Sequence, residues 1–254
     1  MYQLKGKVFV VTGSGRGIGR EVAIGASLEG AKVVVNAKRG KEEMEETMRE
    51  IRERGGEVLG VLADVSTEQG CKELVDRAVS GFGRLDVLVN NAGVGIYSPF
   101  IGVDDRIVEK HFQTDFKSVL YCSKLASPQI SEGGEILNVA SLAGILPFKG
   151  LSIYGAMKGA VISLTRYMAL ELAPRIRVNA VAPGLVRTKL GESLPKVWGM
   201  TEEEYAKKFT LTGRILDPAD VAQLILSIIK VEGMTGQVIT LDAGESLKGS
   251  VGVF

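Results

Sequence analysis

Several residue types that carry common chemistries are scarce in this sequence. The 254 residues include a single histidine, His111, and only two cysteines, Cys71 and Cys122. One histidine excludes a histidine-rich metal centre and leaves a Ser–His–Asp triad only one possible base. Two cysteines far apart in the sequence fit neither a disulfide framework nor a zinc site. We therefore expect a chain that binds no metal.

An excess of charge and long apolar runs are also missing. The 31 basic and 30 acidic residues leave a formal net charge of +1, and like charges do not cluster in blocks. This balance argues against binding to nucleic acid or to a charged membrane surface. No stretch approaches the ~18 to 20 apolar residues of a membrane span, and the N-terminal residues lack the apolar centre of a signal peptide. These absences predict a soluble, cytoplasmic protein with neither nucleic acid nor membrane as a partner.

Alternating strand and helix patterns run along the whole chain. Strand-like runs occupy 7–11, 32–35, 58–63, 86–89, 135–140, 176–180 and 237–241. Helical patterns occupy 18–29, 41–54, 69–82, 104–127, 153–172 and 218–231. The strands are continuous apolar runs, which is typical of a parallel sheet covered by helices on both faces. Strict alternation predicts right-handed βαβ units, an α/β doubly wound fold, and one domain over residues 1–254.

The least regular region is 185–213. It contains Pro195, the only tryptophan, Trp198, and a short acidic helix-like piece at 201–208. Long irregular insertions in compact domains are often lids or binding loops, so we predict that this one is the substrate loop. An ordinary surface excursion is the alternative.

A glycine-rich turn follows the first strand. Thr12–Gly19 reads TGSGRGIG and leads directly into a helix. Glycine lets the backbone turn sharply and approach a ligand, and the free N–H groups of the following helix attract an anion. Strand, glycine turn and helix in the first βα unit predict dinucleotide binding, although the spacing differs from G-x-G-x-x-G.

The end of the second strand bears on the choice of cofactor. An acid at this corner accepts hydrogen bonds from a free ribose 2′-hydroxyl, whereas basic residues favour a 2′-phosphate. The run after the strand is Asn36-Ala37-Lys38-Arg39, without an acid, and Arg16 projects from the glycine turn. Three cations favour NADP(H) over NAD(H). The alternative is that Lys38 and Arg39 merely begin the solvated helix 41–54.

A tyrosine and a lysine stand one helical turn apart. Tyr154 and Lys158 lie on the same face of the predicted helix 153–172. A tyrosine hydroxyl titrates near 10, too high for ready proton exchange at neutral pH. We expect the neighbouring ammonium to lower the pKa of Tyr154, so that it exchanges a proton with a carbonyl or alcohol oxygen. Ser141 follows the fifth strand, where its hydroxyl could donate to the same oxygen.

These motifs together resemble the short-chain dehydrogenase/reductase family, in its classical subgroup, over essentially the whole chain. The family's T-G-x-x-x-G-x-G is Thr12–Gly19, its N-N-A-G is Asn90–Gly93, and its serine and Y-x-x-x-K are Ser141 and Tyr154–Lys158. The resemblance implies a Rossmann fold with a seven-stranded parallel sheet in the order 3-2-1-4-5-6-7, hydride transfer and commonly a homotetramer. The whole-chain likeness is greatest to 3-oxoacyl-(acyl-carrier-protein) reductases.

The resemblance also assigns site residues. Ser141, Tyr154, Lys158 and Asp115 are the implied catalytic group. The implied cofactor-binding residues, besides Tyr154 and Lys158, are Gly13, Ser14, Arg16, Gly17, Ile18, Gly19, Lys38, Arg39, Asp64, Val65, Asn91, Ala92, Gly93, Pro183, Gly184, Val186 and Thr188. In this subgroup Ala37-Lys38 occupies the place of the acid of NAD enzymes, which again favours NADP(H).

One site position departs from the family pattern. Asp115 occupies the place of an asparagine that holds a water in the family's proton relay. An ionised aspartate only accepts hydrogen bonds, whereas an amide also donates. Our hypothesis is that Asp115 fills the relay position with altered pH behaviour. His111, four residues earlier, is interpreted as a packing or surface residue.

Three functions compete at this point. The leading one is an NADP(H)-dependent carbonyl reductase or alcohol dehydrogenase acting on a small molecule, most like a 3-oxoacyl-acyl-carrier-protein reductase. For a carrier-bound substrate, Lys189, Lys196, Lys207 and Lys208 are candidate basic contacts, interspersed with acids. The alternatives are a sugar or polyol dehydrogenase such as glucose 1-dehydrogenase, and a nucleotide-binding regulator without catalysis. In the homotetramer, helices 104–127 and 153–172 would contact partner copies.

Overall fold

Seven strands and ten helices alternate along the chain in the computed structural model, which describes residues 2–248. The strands are β1 (Val8–Val11), β2 (Lys32–Ala37), β3 (Val58–Leu62), β4 (Leu85–Asn90), β5 (Ile130–Val139), β6 (Ile176–Pro183) and β7 (Val238–Leu241). The helices are α1 (Gly17–Leu28), α2 (Lys41–Glu53), α3 (Glu68–Phe82), α4 (Asp105–His111), α5 (Ser118–Ala126), α6 (Ser152–Leu172), α7 (Ser193–Val197), α8 (Glu202–Phe209), α9 (Pro218–Lys230) and α10 (Glu245–Lys248).

The strands form one parallel sheet in the order β3-β2-β1-β4-β5-β6-β7. The predicted doubly wound Rossmann fold and its strand order are therefore confirmed. The order reverses between β1 and β4, where Val10 pairs with Val34 on one side and Leu88 on the other. Crossover connections leave in opposite directions from these two strands, so a crevice opens at their carboxyl ends.

Both faces of the sheet are buried, because each strand side chain points to one face or the other. Phe9 and Val11 of β1 pack with α1, α2 and α9 on one face. Val10, between them, packs on the opposite face with α3, α5 and α6. Burial on both sides explains why the strands read as continuous apolar runs. None of the helices within residues 2–248 has the length and apolarity needed to cross a membrane.

The predicted helix 104–127 is interrupted. Asp104 caps α4 by accepting a hydrogen bond from the Ile107 amide. A wider π-helical turn, Phe112–Lys117, then separates α4 from α5. Such turns are frequent at functional sites because they re-aim side chains. Here the turn carries Asp115, which is fully buried.

The region 185–213 is less irregular than expected, since it contains α7 and α8. Thr201 and Glu204 form a capping box at the start of α8, in agreement with the predicted helix-like piece. Tyr205 and Phe209 of α8 are buried and contact the ring of Trp198. These aromatic contacts join α7 and α8 into one packed cluster within the segment.

Candidate active site

Every sequence-predicted site residue except Asp115, Tyr154 and Lys158 lies at or just after the carboxyl end of a strand. Gly13, Ser14, Arg16, Gly17, Ile18 and Gly19 follow β1; Lys38 and Arg39 follow β2; Asp64 and Val65 follow β3; Asn91, Ala92 and Gly93 follow β4; Ser141 follows β5; Pro183 ends β6, and Gly184, Val186 and Thr188 follow it. In a parallel sheet these ends share one edge. Asp115, Tyr154 and Lys158 reach that edge from the π-helical turn and α6.

The glycine turn requires glycine at defined positions. Gly13 and Gly17 have φ angles of +62° and +59°, in the left-handed region that other residues rarely adopt. A Cβ atom on Gly19 would lie 2.8 Å from the Gly13 carbonyl oxygen. The turn therefore keeps its backbone exposed to a ligand, and α1 begins at Gly17 with no side chain capping its first N–H groups. This is the arrangement that receives a diphosphate.

Buried polar side chains hold the turn from behind. The Asn36 side-chain oxygen accepts a hydrogen bond from the Gly13 amide at 3.2 Å, and its Nδ2 donates to the Val61 and Ala63 carbonyls. The Asn91 side chain donates to the Thr12 and Gly13 carbonyls. Asn36 was not identified as a site residue from the sequence. An asparagine at the end of an otherwise apolar strand was the available signal.

Replacing Asn36 with alanine should loosen the glycine turn. The change leaves two buried carbonyl oxygens and one amide without their partner, and each such group costs about 1 to 3 kcal/mol. We expect the free energy of unfolding in urea to fall by about 2 kcal/mol or more, together with weaker dinucleotide binding. Gln69→Ala removes an exposed amide side chain and should change the stability by less than about 0.5 kcal/mol. Equal effects of the two substitutions would contradict this role.

The corner beside the glycine turn carries both signs of charge. Arg16 lies 3.2 Å from Glu43, and Lys38 lies 2.5 Å from Asp64. Burial by itself would raise the pKa of Asp64, but hydrogen bonds from Lys38 and Ser66 outweigh it and hold that pKa below its usual range. Arg39 is exposed at the same corner. Two of the three predicted cations thus already neutralise acids of the chain.

The start of the 185–213 segment returns to the glycine turn. A Cβ atom on Gly17 would touch the methyl carbon of Thr188 at 3.4 Å. Val186 is buried and forms a bridge with Leu216, which fixes this stretch to the chain before α9. Lys189, proposed above as a carrier contact, instead pairs with Glu43 at 2.9 Å. It therefore belongs to the dinucleotide side of the site.

Ser141, Tyr154 and Lys158 come together at the sheet edge. Ser141 hydrogen-bonds Tyr154, and its hydroxyl oxygen also accepts from the Ala143 amide at 3.1 Å. The Lys158 ammonium donates to the Val139 carbonyl at 3.0 Å and lies 5.7 Å from the centre of the Tyr154 ring. The strand end and the helix thus present a hydroxyl, a phenol and an ammonium within one small volume.

The pKa of Tyr154 differs from the expectation. Burial and the negative charge of Asp115 raise the pKa of Tyr154 above its ordinary value, although the hydrogen bond with Ser141 opposes this shift. The prediction of a lowered value is wrong for the protein chain by itself. Burial also lowers the pKa of Lys158, and Asp115 opposes that shift. Further positive charge in the site would act against both causes of the raised pKa of Tyr154.

Asp115 connects the lysine to the only histidine. One carboxylate oxygen accepts from the Val94 amide at 2.9 Å and lies 3.8 Å from the Lys158 ammonium. The other oxygen lies 2.6 Å from Nδ1 of His111. His111 is fully buried, and its ring centre is 5.8 Å from that of Tyr154. The sequence interpretation missed this pairing; the four-residue spacing of His111 and Asp115 was the signal.

A large apolar cavity opens next to α6. Its volume is about 620 Å³, and Ser152 in its wall stands two residues before Tyr154. The other lining residues are Tyr97, Pro99, Phe100, Ile101, Leu146, Pro147, Phe148, Lys149, Gly150, Trp198, Tyr205, Phe209 and Glu245. Phe100 and Ile101 at its rim are largely exposed. The segment after β4, the segment before α6 and the 185–213 region all contribute walls.

Fold and site together define a dinucleotide-dependent oxidoreductase, and the comparisons with known proteins identify its family. Residues 7–197 match the family model described as short chain dehydrogenase. The chain belongs to this family and is an NAD(P)-dependent enzyme.

Among its relatives is a probable tetrahydroxynaphthalene reductase of Zymoseptoria tritici, 35% identical over 94% of each chain. The 3-oxoacyl-[acyl-carrier-protein] reductase of Thermotoga maritima is 35% identical over 95% of this chain and 98% of its own. A short chain dehydrogenase from Burkholderia cenocepacia, solved in complex with NADP, superposes with a TM-score of 0.89 at 27% identity and covers 96% of this chain and 100% of its own.

Proposed function

We propose that the protein is an NADP(H)-dependent reductase of ketones whose body is bulky and apolar. The observation that carries this proposal is the aromatic cavity at the start of α6, the helix that bears Tyr154 and Lys158. Ligand sites are typically apolar clefts of ~300 to 1,000 Å³ with a few convergent polar groups, and this cavity falls within that range at about 620 Å³.

Each residue at the sheet edge would have a separate role in carbonyl reduction. Ser141 would donate a hydrogen bond to the substrate oxygen and hold it beside Tyr154. Tyr154 would deliver the proton as general acid, or remove it in alcohol oxidation. Lys158 would stabilise the phenolate and contact the dinucleotide, and Asp115 would balance the charge of Lys158. A bound nicotinamide supplies the hydride, and in its oxidised form it adds positive charge near Tyr154.

The glycine turn fits the diphosphate of a dinucleotide, because the backbone at Gly13 and Gly17 would admit no ordinary side chain in its conformation. Arg16, Lys38 and Arg39 at the adjoining corner support NADP(H), since a 2′-phosphate attracts cations. The Burkholderia cenocepacia relative solved with NADP adds to this support.

The cavity lining favours an apolar ketone over a sugar. A polyol needs a hydrogen-bond partner for each hydroxyl, and buried unpaired hydroxyls are costly. Aromatic rings line much of the cavity, with few polar side chains between them. The names of the relatives point to two substrate classes, fused aromatic ring compounds in one case and carrier-bound 3-oxoacyl groups in the other. The flat aromatic walls favour the ring ketones, and the 3-oxoacyl class predicted from the sequence is the second candidate.

A substrate panel tests the proposal. NADPH oxidation would be followed with bicyclic aromatic ketones, with 3-oxoacyl thioesters of increasing chain length, and with glucose plus NADP⁺ for the reverse direction. We expect the highest kcat/KM for the ring ketones, and a lower value for thioesters. Preference for glucose, or tight NADPH binding without turnover of any compound, would overturn the proposal, and the latter would favour the regulator.

We propose further that the protein works as a homotetramer in the cytoplasm. Tyr167 and Leu170 of α6 are large apolar residues with 62% and 77% of their surface exposed, which is typical of a helix that packs against a partner copy. The cytoplasm is proposed because the chain has only two cysteines, too few for the disulfide framework of a secreted protein. Light scattering of the purified protein tests the assembly. That residues 1–254 form a single domain stays a prediction.

A further inference from the structure

His111 is a buried residue that no step of the proposed chemistry uses. A fully buried histidine is uncommon, and its two ring nitrogens need partners. Nδ1 has one, the Asp115 carboxylate at 2.6 Å. Nε2 is buried and has no hydrogen-bond partner among residues 2–248. The imidazole of His111 is therefore hydrogen-bonded to Asp115 through Nδ1, and the ring also lies against the ring of Tyr154.

Hydrogen-bond chemistry fixes which atom carries the proton. The Asp115 oxygen that accepts from the Val94 amide also faces the Lys158 ammonium, and both contacts favour a carboxylate. A carboxylate only accepts, so Nδ1–H of His111 must donate to the other oxygen. The buried Nε2 is then a bare acceptor, which is less costly to leave unpaired than a charged N–H group. The neutral ring protonated at Nδ1 is the form that this site selects.

We propose that His111 is a positioning residue for the proton-transferring pair: it orients the Asp115 carboxylate toward Lys158 and moderates the charge that Lys158 and Tyr154 experience. The order of contacts is His111, Asp115, Lys158, and the last of these lies beside Tyr154. A Cβ atom on Gly93 would lie 2.8 Å from the Asp115 oxygen and 3.4 Å from the Lys158 nitrogen, so the backbone leaves room for this chain of contacts. The catalytic part of the proposal rests on the proposed function.

The groups that face this pair come from three parts of the chain. Tyr154 and Lys158 face it from α6. The segment after β4 contributes the Val94 amide, and β5 contributes the Val139 carbonyl that holds Lys158. Burial raises the pKa of Tyr154 and lowers the pKa of Lys158; the charge of Asp115 adds to the first shift and opposes the second. A change in the groups that compensate the negative charge of Asp115 must therefore change the pKa of Tyr154.

The first test needs neither cofactor nor substrate. His111 is the only histidine of the chain, so ¹⁵N-histidine labelling gives one imidazole whose signals require no assignment. We expect the neutral ring to be protonated at Nδ1, with a strongly deshielded Nδ1 proton, and we expect both features to disappear in Asp115→Asn. A ring protonated at Nε2 in the wild type, or signals that Asp115→Asn leaves unchanged, would overturn the proposal.

The second test measures Tyr154 itself. Ultraviolet difference titration of the NADP⁺ complex, with Tyr154→Phe as the blank, reports ionisation of this phenol. Asp115→Asn removes the charge that opposes ionisation, so the titration should move to lower pH by about one unit. His111→Phe leaves the carboxylate less compensated, so the titration should move to higher pH. His111→Gln retains an N–H donor and should lie between His111→Phe and the wild type.

The double variant Asp115→Asn/His111→Phe distinguishes a positioning role of His111 from a role in packing alone. If His111 acts through Asp115, adding His111→Phe to Asp115→Asn should produce no further shift. Lys110→Gln, which removes an exposed charge next in sequence, should leave the titration where it was. An unmoved titration in His111→Phe, or additive shifts in the double variant, would overturn the proposal. Lack of NADP⁺ binding would instead contradict the proposed function, while the imidazole signals still decide whether the pair exists.

Discussion

Replacing Tyr154 with phenylalanine should reduce kcat for ketone reduction by about two to four orders of magnitude, the usual contribution of a positioned acid. The substitution removes only the hydroxyl, which Ser141 contacts, and keeps the ring that lies against His111. Dinucleotide affinity should stay within a few-fold of the wild type, because the glycine turn and the charged corner are untouched. Steady-state kinetics and NADPH fluorescence measure the two quantities.

Tyr167→Phe is the matched control for this variant. Tyr167 lies on the same helix, α6, 13 residues after Tyr154. Tyr167→Phe keeps the ring that we propose to pack against a partner copy, so loss of the hydroxyl alone should leave kcat unchanged. A Tyr154→Phe enzyme with more than about a tenth of the wild-type kcat would be too active for the role that we assign. The proton would then have to come from another group.

The proton chemistry also predicts how the enzyme depends on the dinucleotide. In the protein chain by itself, burial and Asp115 hold the pKa of Tyr154 above its ordinary value. A bound oxidised dinucleotide would add positive charge and would oppose the effect of Asp115 on that pKa. This order of events would keep the tyrosine protonated until the cofactor is in place.

The fold was predictable because local and global signals agree. Continuous apolar runs such as Val8–Val11 and Val33–Val35 report burial on both faces, and each is followed by a helical pattern. The βα turn Thr12–Gly19 added a second signal, because glycines at this spacing are typical of a backbone that faces a ligand. Helix and strand ends differed from the predictions by a few residues, except that β5 begins at Ile130, before the apolar run.

Contacts between distant segments were not predictable in the same way. The sulfur atoms of Cys71 and Cys122 lie 2.9 Å apart in the core, although 51 residues separate them in the sequence. Helical periodicity predicts a continuous helix through 104–127 and gives no sign of the π-helical turn at Phe112–Lys117. The pairing of His111 with Asp115 depends on the burial of both side chains. The charged residues around His111 in the sequence give no sign of that burial. The raised pKa of Tyr154 follows from the same burial.

The second large effect concerns the choice between the two dinucleotides. Arg16→Ala combined with Lys38→Ala should weaken NADPH binding by about ten- to a hundred-fold and change NADH binding by less than about three-fold. A hydrogen bond to a charged group contributes about 1.5 to 3 kcal/mol when well formed, and a tenfold change in affinity corresponds to 1.4 kcal/mol. Both side chains are partly solvated, so we expect less than that range from each, about 0.7 to 1.4 kcal/mol per residue and about 1.4 to 2.8 kcal/mol for the two together. Titration calorimetry with each dinucleotide gives the ratio.

An acid at the same corner, Glu43, provides a second test of the preference for NADP(H). Glu43 contacts both Arg16 and Lys189, and these contacts hold the pKa of Glu43 below its usual range, so it is a carboxylate at neutral pH. Glu43→Gln removes a charge that competes with a 2′-phosphate, so NADPH should bind more tightly and NADH almost unchanged. Lys41→Ala, which removes an exposed lysine paired with Glu45, is the control and should leave the ratio of affinities unaltered. If Arg16→Ala/Lys38→Ala weakened both dinucleotides equally, the two cations would contribute to general attraction alone, and the preference for NADP(H) would have no basis in this corner.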